Sequence, residues 1–118
     1  MWASRLAAAL GGAAALAAAF LLAGADSWQL WTFLVLPDLG LLAGISGGLR
    51  PGQLHPRAVP LYNALHVPAG PVLLALLSLA LGIDWLAGGL AWLAHIAIDR
   101  SLGYRLRTKD GFIRAARR

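Results

Sequence analysis

Four long apolar runs, at residues 5–25, 28–48, 59–83 and 85–104, are parted by brief polar breaks. Each run meets the roughly 20-residue length that a helix needs to cross the ~30 Å hydrocarbon core of a bilayer. In lipid every backbone polar group must be satisfied internally, so such runs become helices. The breaks are Asp26-Ser27, the polar stretch 49–57 and Asp84. Links this short make helices antiparallel neighbours. The sequence therefore predicts an all-α fold: a four-helix transmembrane bundle with antiparallel up-down neighbours. It forms one integral membrane domain over 1–118, with a basic tail at 105–118. Charged residues are only 13% of the chain and apolar ones 59%, against about 25% charged residues in a soluble domain. Cysteine is absent, which excludes disulfide scaffolds, thiolate zinc sites and iron–sulfur clusters.

The net charge of +5 is unevenly placed. Arg105, Arg107, Lys109, Arg114, Arg117 and Arg118 crowd the C-terminal tail, Arg5 lies near the N-terminus, and Arg50 and Arg57 flank the central polar break. The breaks at Asp26 and Asp84 carry an acid each and no base. Cytoplasmic segments are enriched in Lys and Arg, so both termini and the central loop are expected inside. Trp28, Trp31 and Trp85 would then mark the outer interface, with Trp2 and Tyr104 at the inner one. That orientation suits a multi-pass protein of a bacterial inner membrane, with the bilayer as its partner. Anionic lipid at the basic tail, and an oligomer or partner subunit, are further expected partners. The basic balance is not a nucleic-acid signal, because no nucleic-acid module accompanies it. A competing reading makes residues 1–25 a signal peptide, cut after Ala23-Gly24-Ala25. The apolar run from Leu6 to Leu22 exceeds the ~7–15 residues of such a core, which favours an uncleaved span.

Small residues recur at helical spacing: Gly40, Gly44 and Gly48 on the second run, Ala7, Gly11, Ala15 and Ala19 on the first, and Gly88, Ala91 and His95 on the fourth. Such faces let helix backbones approach closely in lipid, and predict tight packing without specifying chemistry.

Chemistry is carried by the polar residues inside the runs. An ionisable group at the bilayer centre costs at least ~2.5–3.5 kcal/mol on insertion scales. Asp38, His66, His95 and Asp99 all fall within expected spans. At ~1.5 Å per residue, Asp38 and His95 lie ~15 Å deep from the outer side and His66 ~11 Å from the inner side. His95 and Asp99 are i and i+4 on one helix face, as are Tyr62 and His66, with Asn63 beside them. Pro37 precedes Asp38, and Pro68 and Pro71 follow His66. These prolines remove backbone donors and kink the helices next to the polar groups.

Three readings of this set stay open. The four groups could hydrogen-bond across the bundle and fix helix register, as in a structural or accessory membrane subunit. They could ligate a divalent metal such as zinc, with Tyr62 and Asn63 as orienting neighbours, and an open position would make a membrane-embedded hydrolase of a lipid-linked substrate. They could relay protons in a proton-coupled carrier. Arg100 is expected to snorkel to the inner surface and His55 to be solvated in the central loop.

Three segments resemble a known family. They are Leu36-Pro37-Asp38-Leu39, Leu61-Tyr62-Asn63-Ala64-Leu65-His66, and the run from Ala91 through Trp92, His95, Asp99, Arg100 and Gly103 to Tyr104, followed by Asp110-Gly111-Phe112. In this order they resemble small bacterial integral membrane proteins grouped as domain of unknown function 4260. The resemblance implies a four-helix membrane protein with an uncleaved first span, and implies no established activity. The chain departs from that pattern in lacking an early glutamate in the first span and a Thr-His-Leu segment after Gly111-Phe112.

Overall fold

The computed structural model describes residues 2–115. Arg117 and Arg118 of the expected basic tail lie outside the described residues. Five α-helices follow one another: α1 (Trp2–Ala23), α2 (Trp28–Leu39), α3 (Val59–Leu65), α4 (Ala69–Leu81) and α5 (Leu86–Leu102). Two 3-10 turns, Leu42–Gly44 and Pro56–Ala58, bracket the central loop. Among the described residues there is no strand, and Arg107 and Ile113 form an isolated antiparallel bridge.

α5 is the axis of the molecule. α1, α2 and α4 each pack mainly on it, and α1 and α2 barely touch each other. The close neighbours are thus set by α5 rather than by sequence order. Arg5 Nε donates to the Ser101 carbonyl at 2.8 Å and Gly12 lies against Ala97 and Ile98, so α1 runs antiparallel to α5. Gln29 meets Gly88 and Leu34 meets His95, so α2 runs parallel to it. Ser78 meets Trp85 while Pro71 and Ala75 meet Gly89, so α4 is antiparallel. An element flanked on three sides needs small side chains on several faces. α5 supplies them with buried Ala87, Gly88, Gly89, Ala91 and Ala94.

The small-residue face of α1 starts one position away from the one expected. Gly12 and Ala19 are buried, with Ala8, Ala15 and Leu16 partly buried, while Ala7 and Gly11 are exposed. A Cβ on Gly12 would stand 3.1 Å from Ile98 Cγ1 and 3.2 Å from Ala97 Cβ, whereas one on Gly11 would meet nothing within 4 Å. An Ala-rich helix has several small faces, and its sequence alone does not say which one meets a neighbour.

The second and third runs are not continuous helices. α2 ends at Leu39, two residues after Pro37, and the chain turns through the 3-10 segment into the loop. Gly40, Gly44 and Gly48 therefore do not share a helix face. Gly44 instead lets Leu54 and Ala58 approach, seeding a second small core with Val59, Tyr62 and Leu41. The third run breaks at residues 66–68, where the Pro56–Leu65 segment meets α4 at 41°. Pro68 cannot donate to the carbonyl four residues back, so the helix is interrupted there.

These breaks change the membrane arithmetic. Among the described residues, α1 is the helix long and apolar enough to cross a bilayer unaided, and Pro56–Leu65 with Ala69–Leu81 qualifies when taken as one bent span. α2 has 12 residues and α5 has 17, which at ~1.5 Å each give ~18 Å and ~26 Å, short of the ~30 Å core.

The tail is folded. Thr108 N–H donates to the Phe112 carbonyl at 2.7 Å and Arg114 N–H to the Leu106 carbonyl at 2.8 Å, making a hairpin. Leu54 N–H donates to the Gly111 carbonyl at 2.9 Å and ties that hairpin onto the central loop.

The α1–α5 contact leads to a prediction. Gly12→Leu forces bulk against Ile98 and should destabilise the protein by ~1–3 kcal/mol, the usual cost of overpacking. Gly11→Leu should leave stability unchanged. Thermal melting of the two variants in detergent checks the contrast, and equal melting temperatures would contradict this packing.

Candidate metal centre

Helix interruptions place the polar residues. Asp38 sits in the last turn of α2, beside Pro37, and His66 caps the C-terminal end of α3. His95 and Asp99 lie one turn apart on α5. The structure brings all four together: one ligand atom from each lies within 4.8 Å of the others. His66 Nε2 stands 3.5 Å from Asp38 Oδ1 and 3.4 Å from Asp99 Oδ2. His95 Nε2 stands 3.3 Å from each of the same two oxygens. His66 and His95 are buried, Asp99 is mostly covered, and the Asp38 side chain is 49% exposed.

The orientation of each imidazole is dictated from behind. His66 Nδ1 lies 2.7 Å from the Tyr62 carbonyl, and His95 Nδ1 lies 2.7 Å from the Leu34 carbonyl. A carbonyl oxygen only accepts, so each Nδ1 carries the hydrogen. In a neutral ring Nε2 is then a bare acceptor facing the carboxylates. Both Nε2 atoms are buried and without a hydrogen-bond partner. Their 3.3–3.5 Å distances to the carboxylates exceed the ~2.7–2.9 Å of a charge-assisted N–H···O bond. These four histidine–aspartate separations are close to another figure: with ligands at ~2.0–2.1 Å, the edge of a tetrahedron around zinc is ~3.3–3.4 Å, and the histidine–histidine and aspartate–aspartate separations lie within 4.8 Å. Four acceptors converging in this way have the composition and spacing of a cation site, and the carbonyls behind the rings are the usual outer supports of metal-bound histidine.

The supporting contacts explain the breaks. Interrupting the third run leaves carbonyls at the end of α3 without helical partners. Trp92 Nε1 donates to the Leu65 carbonyl at 2.8 Å, and Arg100 Nη2 donates to the His66 carbonyl at 3.1 Å. Arg100 therefore braces the site, where the sequence suggested snorkelling to the surface. Tyr62 stacks on His66 with ring centroids 4.0 Å apart. The Asn63 carbonyl accepts from His66 N–H at 3.1 Å, while its side chain is turned to the tail. Its Nδ2 donates to the Arg107 carbonyl at 3.0 Å and its Oδ1 accepts from Arg107 N–H at 2.8 Å, so it fastens the tail. His55 is away from the cluster, where its Nδ1 accepts from Arg57 N–H at the start of a 3-10 turn.

Sequence reasoning missed two functional placements. Arg107 lies over the Tyr62 ring, 4.9 Å from its centroid, and so reaches the cluster's edge. Gln29, buried on α2, accepts from Gly88 N–H and donates to the Asp84 carbonyl, capping the start of α5. Tail composition gave no signal for Arg107. The buried amide four residues before Phe33, itself in the core, was a legible signal for Gln29.

Trp92 supplies a test of this support. Trp92→Phe leaves the Leu65 carbonyl unpaired and should cost ~1–3 kcal/mol, the penalty for an unsatisfied buried acceptor. Melting of the purified variant measures it; an unchanged midpoint would remove Trp92 from the scaffold.

Neither a curated protein nor a solved structure matches this chain. The model of a family described as a domain of unknown function (DUF4260) matches residues 5–116. That span takes in all four residues of the cluster and every contact that orients them, and the chain belongs to this family.

Proposed function

We propose that this chain is a polytopic membrane protein holding a divalent first-row metal ion, with zinc the foremost candidate, between Asp38, His66, His95 and Asp99. The observation that carries the reading is the pair of buried imidazoles, each with Nδ1 tied to a carbonyl and Nε2 turned on two carboxylates at 3.3–3.5 Å. Two imidazole nitrogens and two carboxylate oxygens suit zinc, and cobalt or manganese less tightly. A cation at their common point satisfies four acceptors at once. A purely structural clamp of neutral rings would leave two buried Nε2 atoms unpaired.

Several features support a membrane setting. α1 is exposed along most of its length, and α4 presents Val72, Leu73, Leu76, Leu77, Leu79 and Leu81 outward. An apolar surface of that extent is a liability in water and a requirement in lipid. Arg5 and Arg107 fall at the end of the molecule that holds the C-terminus of α5, while Asp84 falls at the other. We read this as four crossings with α3 and α4 forming one broken span, and both termini on the cytoplasmic side. α1 packs along α5 and bonds to Ser101, which supports its retention as a permanent span. α2 and α5 are short for a bilayer, and their inner ends are met by the loop and the tail hairpin. Non-helical backbone at that depth is tolerated where it is covered by protein or faces a polar cavity. Lys109 and Arg114, exposed on the hairpin, would face anionic lipid at about 1 kcal/mol per charge.

Metal analysis of detergent-purified protein tests the central claim. Wild type should retain about one zinc per chain, and His95→Ala and Asp99→Asn should each lower occupancy at least ~10-fold, the usual cost of weakening a metal site. A wild-type protein that stays metal-free after exposure to zinc at neutral pH would sink the reading.

Topology has its own test, made simple by the absence of cysteine. Ser27→Cys and Asp84→Cys should react with a membrane-impermeant thiol reagent added to intact cells, and Gln53→Cys and Lys109→Cys should react after lysis. Labelling of both sets from the same side would contradict the four-crossing arrangement.

A further inference from the structure

A recess of about 240 Å³ opens beside the cluster, lined by Asp38, Leu41, Tyr62, Asp99, Tyr104 and Arg107. We propose that this recess binds a phosphate-type oxyanion, held between the metal ion and the Arg107 guanidinium. The proposal builds on the metal reading above and names the class of ligand that the site takes.

Arg107 is the first ground. Its charge is held in place by neutral groups. Nη1 donates to the Gly52 and Gly111 carbonyls at 3.0 and 2.8 Å, the guanidinium lies over Tyr62, and Asn63 clamps its backbone. Nε is buried with no hydrogen-bond partner. Among the described residues, no carboxylate stands within salt-bridge distance of it. The guanidinium is thus fixed by neutral hydrogen-bond partners, with no ion pair among the described residues and one donor unspent. Arginine's planar fork is the side chain best matched to the oxygens of phosphate.

Charge balance is the second ground. A divalent ion with two carboxylates is neutral overall and exerts no net pull on an anion. Arg107 adds one positive charge to the wall of the recess, and the sum favours an anion over a neutral or cationic ligand. The third ground is access. Asp38, the half-exposed ligand, and Asp99 both line the recess, so the less enclosed side of the cluster faces Arg107. Zinc can expand from four to five ligands on such a side. Size is the fourth ground. The volume lies below the ~300–1,000 Å³ of pockets for drug-sized ligands, so it takes one phosphoryl group rather than an extended molecule. The remainder of a larger ligand would lie past Leu41 and Tyr104 at the rim.

The phosphoryl group could come from a soluble phosphoester or from a lipid headgroup, and one experiment separates them. Protein loaded with cobalt in place of zinc is titrated with inorganic phosphate while its visible spectrum is followed. Phosphate should shift the cobalt bands of wild type. Arg107→Gln should keep its metal and need at least ~10-fold more phosphate, the loss expected for a charged hydrogen-bond pair. The K109Q/R114Q double variant should behave as wild type. Should Arg107→Gln fail to fold, wild type settles the matter alone: stripping its metal should abolish phosphate binding followed by calorimetry. Phosphatidic acid in nanodiscs displacing phosphate, with phosphatidylcholine inert, assigns a lipid source. Phosphate binding without lipid competition assigns a soluble one. Metal retained with equal phosphate affinity in wild type and Arg107→Gln overturns this inference and leaves the metal reading standing. A wild type that takes no metal removes both.

Discussion

Two backbone carbonyls, on Leu34 and Tyr62, decide what the middle of this molecule can be. Each accepts from a histidine Nδ1 at 2.7 Å, which fixes the tautomer and turns the other nitrogen inward. In neutral rings the two inward nitrogens and the two aspartates form a set of acceptors with no donor among them, and in protonated rings the same nitrogens donate to the carboxylates as ion pairs. The rest of the fold brings those carbonyls and those acids together.

That delivery depends on α5. Its small residues let α1, α2 and α4 close around it, and its larger ones, Trp92, His95, Asp99 and Arg100, make polar contacts with α2 and with the end of α3. Trp92 bonded to Leu65 and Arg100 bonded to His66 give partners to carbonyls left open at the end of α3. The interruption near Pro68 and these donors on α5 therefore form one arrangement, because an unpaired carbonyl in an apolar setting costs several kcal/mol.

The sequence disclosed the members of the cluster better than the scaffold around it. His95 and Asp99 share a face by spacing alone, and the cost of setting Asp38 and His66 within apolar runs requires that each find a partner. What it hid were effects that depend on which neighbour is present. The start of the α1 face lies one residue from its expected place, since Ala7-Gly11 and Ala8-Gly12 look equally small until Ile98 is set against one of them. The second run looks long enough to span, and only the turn after Pro37 shows its glycines serving the loop. Arg107 reads as one more basic residue because its role arises from Asn63, Gly52 and Gly111, brought together only by the folded hairpin and the loop it meets. Helical expectations survived in kind, as five helices, while the continuity of the spans did not.

The hairpin that carries Arg107 follows every helix in chain order and is buttoned to the loop through Leu54 and Gly111. A chain emerging from N- to C-terminus thus carries all four acceptors before Arg107 is added. Of the residues that line the recess, Arg107 is the last in the chain, so the wall opposite Asp38 and Asp99 is completed by the last of them to be made.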